Sequence, residues 1–375
     1  MTPPKPTPRP DKVSLLGYMR LFRRDILSAQ PARLYRAWMA AFRTPFFRSY
    51  LCNDPALIRR VLQDRPADFP KSQRITEGLA PLLGRSVFVT NGEEWLRQRR
   101  IIDPAFEGGR MRAAFPAILA AGQAAVARLP QGEVEIEAAA SHAAADVIFR
   151  TLFSLPIEDR VAQAVFDEFR TYQRTQPILN LAAFLPLPAW MPRLHRRATR
   201  TSAATIRRLI GQMTEARAAA IAAGTAPDDL ASRIMTTPDP VTGSRFGTGE
   251  MVDQVAIFFL AGHETSASAL SWALYLLASH PAAQDRVAVE AAGMTEDFAS
   301  LATLRFTRDV FREDQPVEVE DGGDAQAEFV EIQASIAALQ NPLRADDRLT
   351  LARRAVALGL AVGDREMQAW GRLWS

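Results

Sequence analysis

The chain has very little cysteine and no long apolar run. Cys52 is its only cysteine among 375 residues, so an intramolecular disulfide and a metal site made of several thiolates are both excluded. Low cysteine usage is typical of a reducing compartment, and we expect a cytoplasmic location. No stretch reaches the ~18 uninterrupted apolar residues that a spanning helix needs. The first twelve residues, MTPPKPTPRPDK, also lack the apolar core of a signal peptide. We therefore expect no membrane span.

An excess of charge of either sign is also lacking. Lys and Arg total 45 against 42 for Asp and Glu, and the arginines are spread among acids and alanines instead of forming a basic block with interleaved aromatics. This pattern disfavours nucleic-acid binding. A weaker alternative stays open, in which one arginine-rich face attracts an acidic protein partner through its long-range field.

What the chain does contain is typical of a helical globular protein. Hydrophobic residues make up 48% and charged residues 23%, enough for a sizeable core. The length fits two domains or one large helical domain. Apolar residues recur three and four apart in MRAAFPAILAAGQAAVARL and ATIRRLIGQMTEARAAAIAA, which predicts amphipathic helices. Two strand-like pieces, FFRSYLCND and SVFVTNG, predict a small β portion within a mainly α fold.

Other segments predict the chain's organisation. Residues 1–12 are Pro-rich and predict a flexible, solvated tail. The apolar segment ILNLAAFLPLPAWMP, from Ile178, is broken by three prolines and is interpreted as a buried loop or a lid over a pocket. The turn cluster TPDPVTGSRFGTGE precedes the longest apolar helix, predicted from about Gly249 to Ser279. Because that helix is apolar nearly all round, we expect it to be buried on all sides.

The long helix carries a polar interruption at residues 262–265. Burying a carboxylate and a hydroxyl costs several kcal/mol unless both find partners. The Thr265 hydroxyl can bond the carbonyl four residues back, at Ala261, and Gly262 removes bulk beside it, so a groove with a proton donor could form. The competing interpretation is a satisfied core threonine, with Glu264 turned to a buried water or an arginine.

The sequence motifs around this interruption resemble those of the cytochrome P450 family. AGHET, followed by SHP, resembles the family's oxygen-binding helix. GEEWLRQRR places Trp95 and Arg99 four apart on one helical face, which matches the family's W-x-x-x-R motif. SYLCNDPALIRRVL, DVIFRTLFS, DPVTGSRF and LRFTRDVFRE follow in the family's order, so residues 13–313 are identified as a P450-like domain with a mainly α fold.

The resemblance implies a haem monooxygenase. It implies haem b as cofactor, with Trp95 and Arg99 reaching a haem propionate and Ala261 and Gly262 lining the oxygen pocket. Thr265 and Glu264 would serve proton delivery. The implied activity inserts one oxygen atom from dioxygen into an apolar small molecule, with electrons from a ferredoxin or reductase partner.

The resemblance stops after Glu313. The family's next helix carries E-x-x-R, but here Asp314, Gln315 and Pro316 follow, and Pro316 would end a helix. Residues 314–375 predict an acidic linker and an unrelated helical tail, so the P450-like domain is expected to be truncated. No cysteine with the family's flanking residues follows, and no metal ligand is assigned.

Cys52 precedes a turn and is interpreted as a small buried apolar residue. Without the thiolate that favours O–O cleavage, we expect weak or absent activity. The alternative is a non-catalytic helical remnant that binds an apolar ligand or a protein partner.

Three polar residues receive no special role. His263 lies about 100° around the helix from each neighbour, and we do not expect it to ligate iron. Ser141 and His142 are adjacent in a predicted helix, with no third residue that would mark a nucleophile pair, and they are interpreted as ordinary helix residues.

Overall fold

A computed structural model describes most of the chain. The described residues are 7–24, 29–35, 37–43, 48–107, 109–175 and 197–311. The first six residues of the proline-rich start, the apolar segment from Ile178 and the predicted tail at 314–375 lie outside them. The assignment of 1–12, 13–313 and 314–375 as separate parts therefore stays a prediction.

The fold is mainly helical, as the sequence predicts. The helices are α1 (Leu15–Arg24), α2 (Pro55–Arg59), α3 (Gln73–Leu83), α4 (Gly92–Ile102), α5 (Arg110–Ala127), α6 (Ile136–Phe153), α7 (Arg160–Thr175), α8 (Arg197–Ala222), α9 (Leu230–Thr236), α10 (Thr248–Ser279), α11 (Pro281–Ala292) and α12 (Arg305–Phe311). Short 3₁₀ turns include Ala32–Tyr35, Asp103–Phe106 and Phe298–Thr303. None of the helices described is both long and apolar enough to cross a bilayer.

The β portion is one antiparallel pair in the described residues. Strand β1 (Met39–Arg43) pairs with β2 (Arg48–Cys52), with Met39 opposite Cys52. The predicted strand is thus confirmed, and the following Asp54 caps α2 by accepting a hydrogen bond from the Ala56 amide at 2.8 Å. Cys52 carries a free thiol and is half-buried, so the expectation of full burial was wrong.

The second predicted strand is wrong, because residues 86–90 form turns. The amides of Val89 and Thr90 bond back to the Ser86 carbonyl at 3.0 and 3.1 Å, and the Val87 amide bonds the Gln254 side chain at 3.0 Å. Side chains and local turns satisfy this backbone, so no strand partner is needed. A short apolar run in the sequence does not by itself distinguish a strand from a series of turns.

The core of the first compact unit, Met1–Ala267, lies where helices pack on the first half of α10. Phe259 of α10 packs between Phe149 of α6 and Phe169 of α7, with ring centroids 5.0 and 4.3 Å apart. Helix α7 packs along α8, and α5 along α6. Full burial of rings of this size stabilises a fold by roughly 1.5–3 kcal/mol each, so this aromatic layer fixes the position of α10.

Helix α10 is not buried on all sides, which corrects the sequence expectation. Residues 251–257 are all buried, whereas Ala261, Glu264 and Thr265 are exposed and Trp272 is 52% exposed. The apolar pattern continues through Ser279, and in the first unit α6, α7 and α8 pack around the first half of α10. An all-apolar pattern therefore predicted the helix correctly and its burial incorrectly.

The second compact unit runs from Ser268 to the chain end. Within it, Glu290 of α11 accepts hydrogen bonds from the amides of Phe306 and Thr307 at 2.9 and 2.8 Å. These are first-turn amides of α12 that have no partner within the helix. The Arg286 guanidinium lies 3.7 Å from the Phe306 ring centroid, and the two contacts together hold α12 against α11.

Candidate functional site

One face of α10 is open and carries the predicted proton donors. The Thr265 hydroxyl donates to the Ala261 carbonyl at 2.6 Å, the bond that their four-residue spacing predicts. Ala261, Glu264 and Thr265 are all exposed, and helical geometry places them on the same side of the helix. The bond fixes the hydroxyl and leaves the oxygen's lone pairs free to accept from a water or a ligand.

Gly262 lies on a different side, against α6. A Cβ atom at Gly262 would come within 3.1 Å of the Ile148 Cδ1 atom, closer than ordinary van der Waals contact. The glycine thus permits close approach of α6 and α10. Its expected place at an oxygen pocket beside Ala261 stays a prediction.

His263 points into the core, away from the open face. Its Nε2 atom lies 2.8 Å from the Ser141 Oγ atom, its ring stacks on Phe259 with centroids 5.4 Å apart, and Phe166 meets it edge-on at 5.7 Å. The side chain is 2% exposed. Because His263 is anchored in the core, it fixes the rotation of α10 about its axis. The residues on the other side of the helix, Ala261, Glu264 and Thr265, are therefore exposed.

Burial lowers the pKa of His263 to about 4, and the Arg170 charge adds to this effect. Its Nδ1 atom has no hydrogen-bond partner in the described residues. Burial likewise lowers the pKa of His142, whose ring meets Phe166 at 5.4 Å. Both imidazoles are therefore neutral at pH 7 in the folded protein.

Acid is expected to destabilise the fold through His263. Its pKa is about 4 when folded and about 6.5 when unfolded, so the unfolded chain binds more protons between these values. Stability is complete above about pH 6.5 and is lost as the pH falls towards 4, by on the order of 3 kcal/mol. Urea midpoints at pH 7 and pH 5 measure the larger part of this loss. The variant His263→Gln should show a smaller difference between the two midpoints. An unchanged difference would show that His263 is not the source of the acid sensitivity.

The predicted Trp95 and Arg99 pair lies on one face of α4. The Arg99 guanidinium carbon is 5.8 Å from the Trp95 ring centroid, and Arg99 also pairs with Asp103 at 2.8 Å. A second cation, Lys71, lies 5.2 Å from the same centroid. The indole therefore contacts two positive charges, an arrangement that favours a nearby anion.

Lys71 is a site residue that the sequence analysis missed. Its ammonium donates to the carbonyls of Val87 and Thr90 at 2.9 and 2.8 Å, and in the described residues no carboxylate pairs with it. Burial, and then the Arg99 charge, lower its pKa. A carboxylate placed beside Lys71 and Arg99 would reverse that repulsion, so the charges on the site fit a group that carries propionates.

Direct contacts join α4 to the start of α10. Arg97 pairs with Glu250 at 2.6 Å, and the rings of Phe106 and Phe258 meet edge-on at 5.9 Å. A further connection is indirect: the Gln98 side chain donates to the Arg85 carbonyl at 2.6 Å, and the Arg85 amide donates to Asp253 of α10 at 2.8 Å. The Arg97 side chain is half-buried in its pair with Glu250, so α4 and the start of α10 form one packed framework, although the Phe106 ring is 54% exposed.

The structure thus places the predicted residues in two groups. Trp95 and Arg99 lie together on α4, and Ala261, Glu264 and Thr265 share the open face of α10. In the part of the chain that is described, no hydrogen bond, ion pair or ring contact joins the two groups. No three His, Cys, Asp or Glu side chains among these residues could jointly ligate a metal.

The fold and these two helices define a P450-type haem-domain architecture. Two solved structures, the heme domain of cytochrome P450DA and a mutant of it, have TM-scores of 0.63 with this chain. They cover 82% of this chain and 69% of their own, at 19% and 21% identity. At this level of identity the likeness establishes the fold.

The chain belongs to the cytochrome P450 family, whose sequence model matches residues 8–315. It is 33% identical to cyclooctat-9-en-7-ol 5-monooxygenase of Streptomyces melanosporofaciens, over 81% of this chain and 66% of that enzyme. It is 26% identical to a cytokinin hydroxylase of Arabidopsis thaliana, over 64% of this chain and 48% of the hydroxylase. The chain thus spans less than two thirds of the length of these relatives. Membership implies a monooxygenase family and a haem cofactor.

Proposed function

We propose that this chain forms the part of a P450 monooxygenase that binds the haem propionates and supplies protons. Its substrate is an apolar small molecule, and its electrons come from a ferredoxin or reductase. The observation that carries the proposal is a pair of features: the Thr265 to Ala261 bond on the open face of α10, and two cations in contact with Trp95 of α4. Haem b, when bound, supplies dioxygen activation.

The chain's own residues have distinct tasks in this proposal. Arg99 and Lys71 bind the propionates, since a guanidinium fork and an ammonium both favour a carboxylate. Trp95 contacts both charges. Glu264 takes protons from solvent, and Thr265 orients the group that receives them by accepting its hydrogen bond, because the Thr265 proton is held by the Ala261 carbonyl and its lone pairs are free.

We further propose that the chain alone is impaired as an enzyme. The family's activity needs a cysteine thiolate on iron, and the only cysteine, Cys52, ends strand β2. Haem held by propionate contacts and packing should therefore bind weakly, without the thiolate ligand.

Haem titration of the purified chain tests the proposal. Absorbance in the Soret region should show saturable binding, and the double variant Lys71→Gln, Arg99→Gln should weaken it at least tenfold, because two charge-assisted contacts are lost. Arg20→Gln, an exposed arginine of α1 with no ion pair among the described residues, is the matched control and should bind as the wild type does.

The reduced carbon-monoxide spectrum of the haem-loaded chain should lack the thiolate-type band. The variant Cys52→Ser should give the same spectrum as the wild type. A thiolate-type band would overturn the proposed impairment. Equal haem affinity in the double variant, or no haem binding at all, would overturn the propionate assignment. One apolar cavity among the described residues, lined by Phe149, Ile210 and Phe259, holds about 10 Å³, which is too small for a lipid-like ligand, so this cavity does not support the alternative of a remnant that stores such a ligand.

A further inference from the structure

The Ser141 hydroxyl of α6 bonds a residue of another helix. Serine and threonine hydroxyls inside helices can bond the carbonyl four residues back, and Thr151 and Thr214 do so at 2.7 and 2.9 Å. The Ser141 Oγ atom instead lies 2.8 Å from the His263 Nε2 atom of α10, 122 positions later in the chain. The bond therefore joins α6 to α10, which a bond within one helix does not do.

This hydroxyl decides how the His263 ring is oriented. The ring stacks on Phe259 and meets Phe166 edge-on, and these apolar contacts hold its plane. They do not distinguish the two nitrogens from the two ring carbons. Among the described residues the Nδ1 atom has no hydrogen-bond partner, so the bond to Ser141 selects one orientation. Without it a further buried polar atom would be left unpaired, which is unfavourable.

A second contact between the same two helices lies close by. The Cδ1 atom of Ile148 would be 3.1 Å from a Cβ atom at Gly262, so the two helices approach closely there. Ser141 and Ile148 are seven residues apart on α6, or about 10 Å, whereas their partners Gly262 and His263 are neighbours. Two separate contacts on adjacent residues restrain α10 from turning about its axis.

The restraint at His263 determines what the opposite side of α10 presents. Thr265 and Ala261 each lie two residues from His263, or about 200° around the helix, and both are exposed. An imidazole fixed in the core therefore directs the Thr265 hydroxyl and the Ala261 carbonyl to the open face. A turn of α10 that freed the imidazole would move both of them.

We propose that Ser141 is a positioning residue, whose bond to His263 holds α10 in the rotation that presents Thr265 and Ala261 on the open face. Ser141 acts through His263 and touches no reacting atom. The importance of this rotation for proton delivery rests on the proposed function, whereas the rotation itself does not. The sequence analysis interpreted Ser141 as an ordinary helix residue, because its partner is too distant in the chain to be recognised.

Hydrogen–deuterium exchange of the full chain without haem tests the proposal. In Ser141→Ala the amide hydrogens of residues 262–267 should exchange roughly tenfold faster, the effect of losing one hydrogen bond to a buried group. The amides of α5 and α8 should exchange as in the wild type, because α10 opens locally. Thr151→Ala is the matched control, since its hydroxyl bonds the carbonyls of Val147 and Ile148 of its own helix, and it should leave residues 262–267 unchanged.

The nitrogen-15 spectrum of the His263 ring is a second readout, which a general loosening of the packing would not explain. The chain has four histidines, and His263→Gln assigns the signals. The wild type at pH 7 should show one tautomer, fixed by the hydroxyl, and Ser141→Ala should show a mixture of both. Ser141→Thr retains a hydroxyl and should restore the single tautomer and the slow exchange.

Four outcomes would overturn the proposal. These are unchanged exchange of residues 262–267 in Ser141→Ala, a tautomer mixture in the wild type, a Ser141→Thr variant that behaves as Ser141→Ala does, and equal acceleration in α5 and α8. The last would show that Ser141 supports the whole unit and not the rotation of α10. Because no measurement here uses haem, a failure of haem binding would count against the proposed function alone.

Discussion

Replacing Gly84 with alanine is expected to destabilise the fold by about 4 kcal/mol or more. Gly84 follows α3 with φ +50° and ψ −122°, a conformation that costs other residues about 1–3 kcal/mol. A Cβ atom there would lie 2.1 Å from the Asp253 Oδ1 atom. The displaced carboxylate would lose its bonds to the Arg85 amide at 2.8 Å and to Arg207 at 2.7 Å, which adds a similar amount.

Gly78→Ala is the matched control for this prediction. Gly78 lies inside α3, and a Cβ atom there would meet no atom within 4 Å outside its own stretch of helix, so alanine should be neutral or stabilise the helix by up to about 1 kcal/mol. Urea unfolding followed by circular dichroism measures both variants. Equal midpoints for Gly84→Ala and the wild type would show that the loop and the Asp253 carboxylate can move apart.

The second large effect is expected at Arg217. This buried arginine of α8 bonds the Phe153 carbonyl at 2.5 Å and pairs with Asp229 at 2.8 Å. Asp229 in turn caps α9 by accepting from the Ser232 amide at 3.0 Å. Arg217→Met preserves length but leaves a buried carboxylate and a carbonyl unpaired, at a cost of about 3–5 kcal/mol.

Arg208→Met controls for the chemical change on the same helix. Arg208 is exposed and without an ion pair in the described residues, so its replacement should alter the free energy of unfolding by less than about 0.5 kcal/mol. Comparable losses in both variants would mean that the Arg217 pair contributes nothing beyond the packing of its side chain.

The helices were predictable because their signals are local. The turn cluster before α10 and Pro281 after it bound the predicted helix, and the structure begins it at Thr248 and ends it at Ser279. Strand β2 was predicted from its own residues. Residues 86–90 were not, because the Gln254 side chain that bonds the Val87 amide is 167 positions away.

In the candidate site, too, the contacts within one helix were predictable and the contacts between distant segments were not. The Thr265 to Ala261 bond follows from helical spacing, and so does the approach of Arg99 to Trp95. Lys71 carries no spacing signal, because its carbonyl partners lie 16 and 19 positions along the chain. The Ser141 partner of His263 is 122 positions away, a distance over which periodicity predicts nothing.

The hydrogen bonds made by the backbone of the loop after α3 affect when this loop can fold during synthesis of the chain. The Arg85 amide is satisfied by Asp253, 168 positions later, and the Val87 amide by Gln254. A ribosome must therefore translate the start of α10 before either amide can find its native partner. Contacts so distant in sequence slow folding. In the nascent chain this loop should remain open to solvent, and to chaperones, longer than the helices on either side of it.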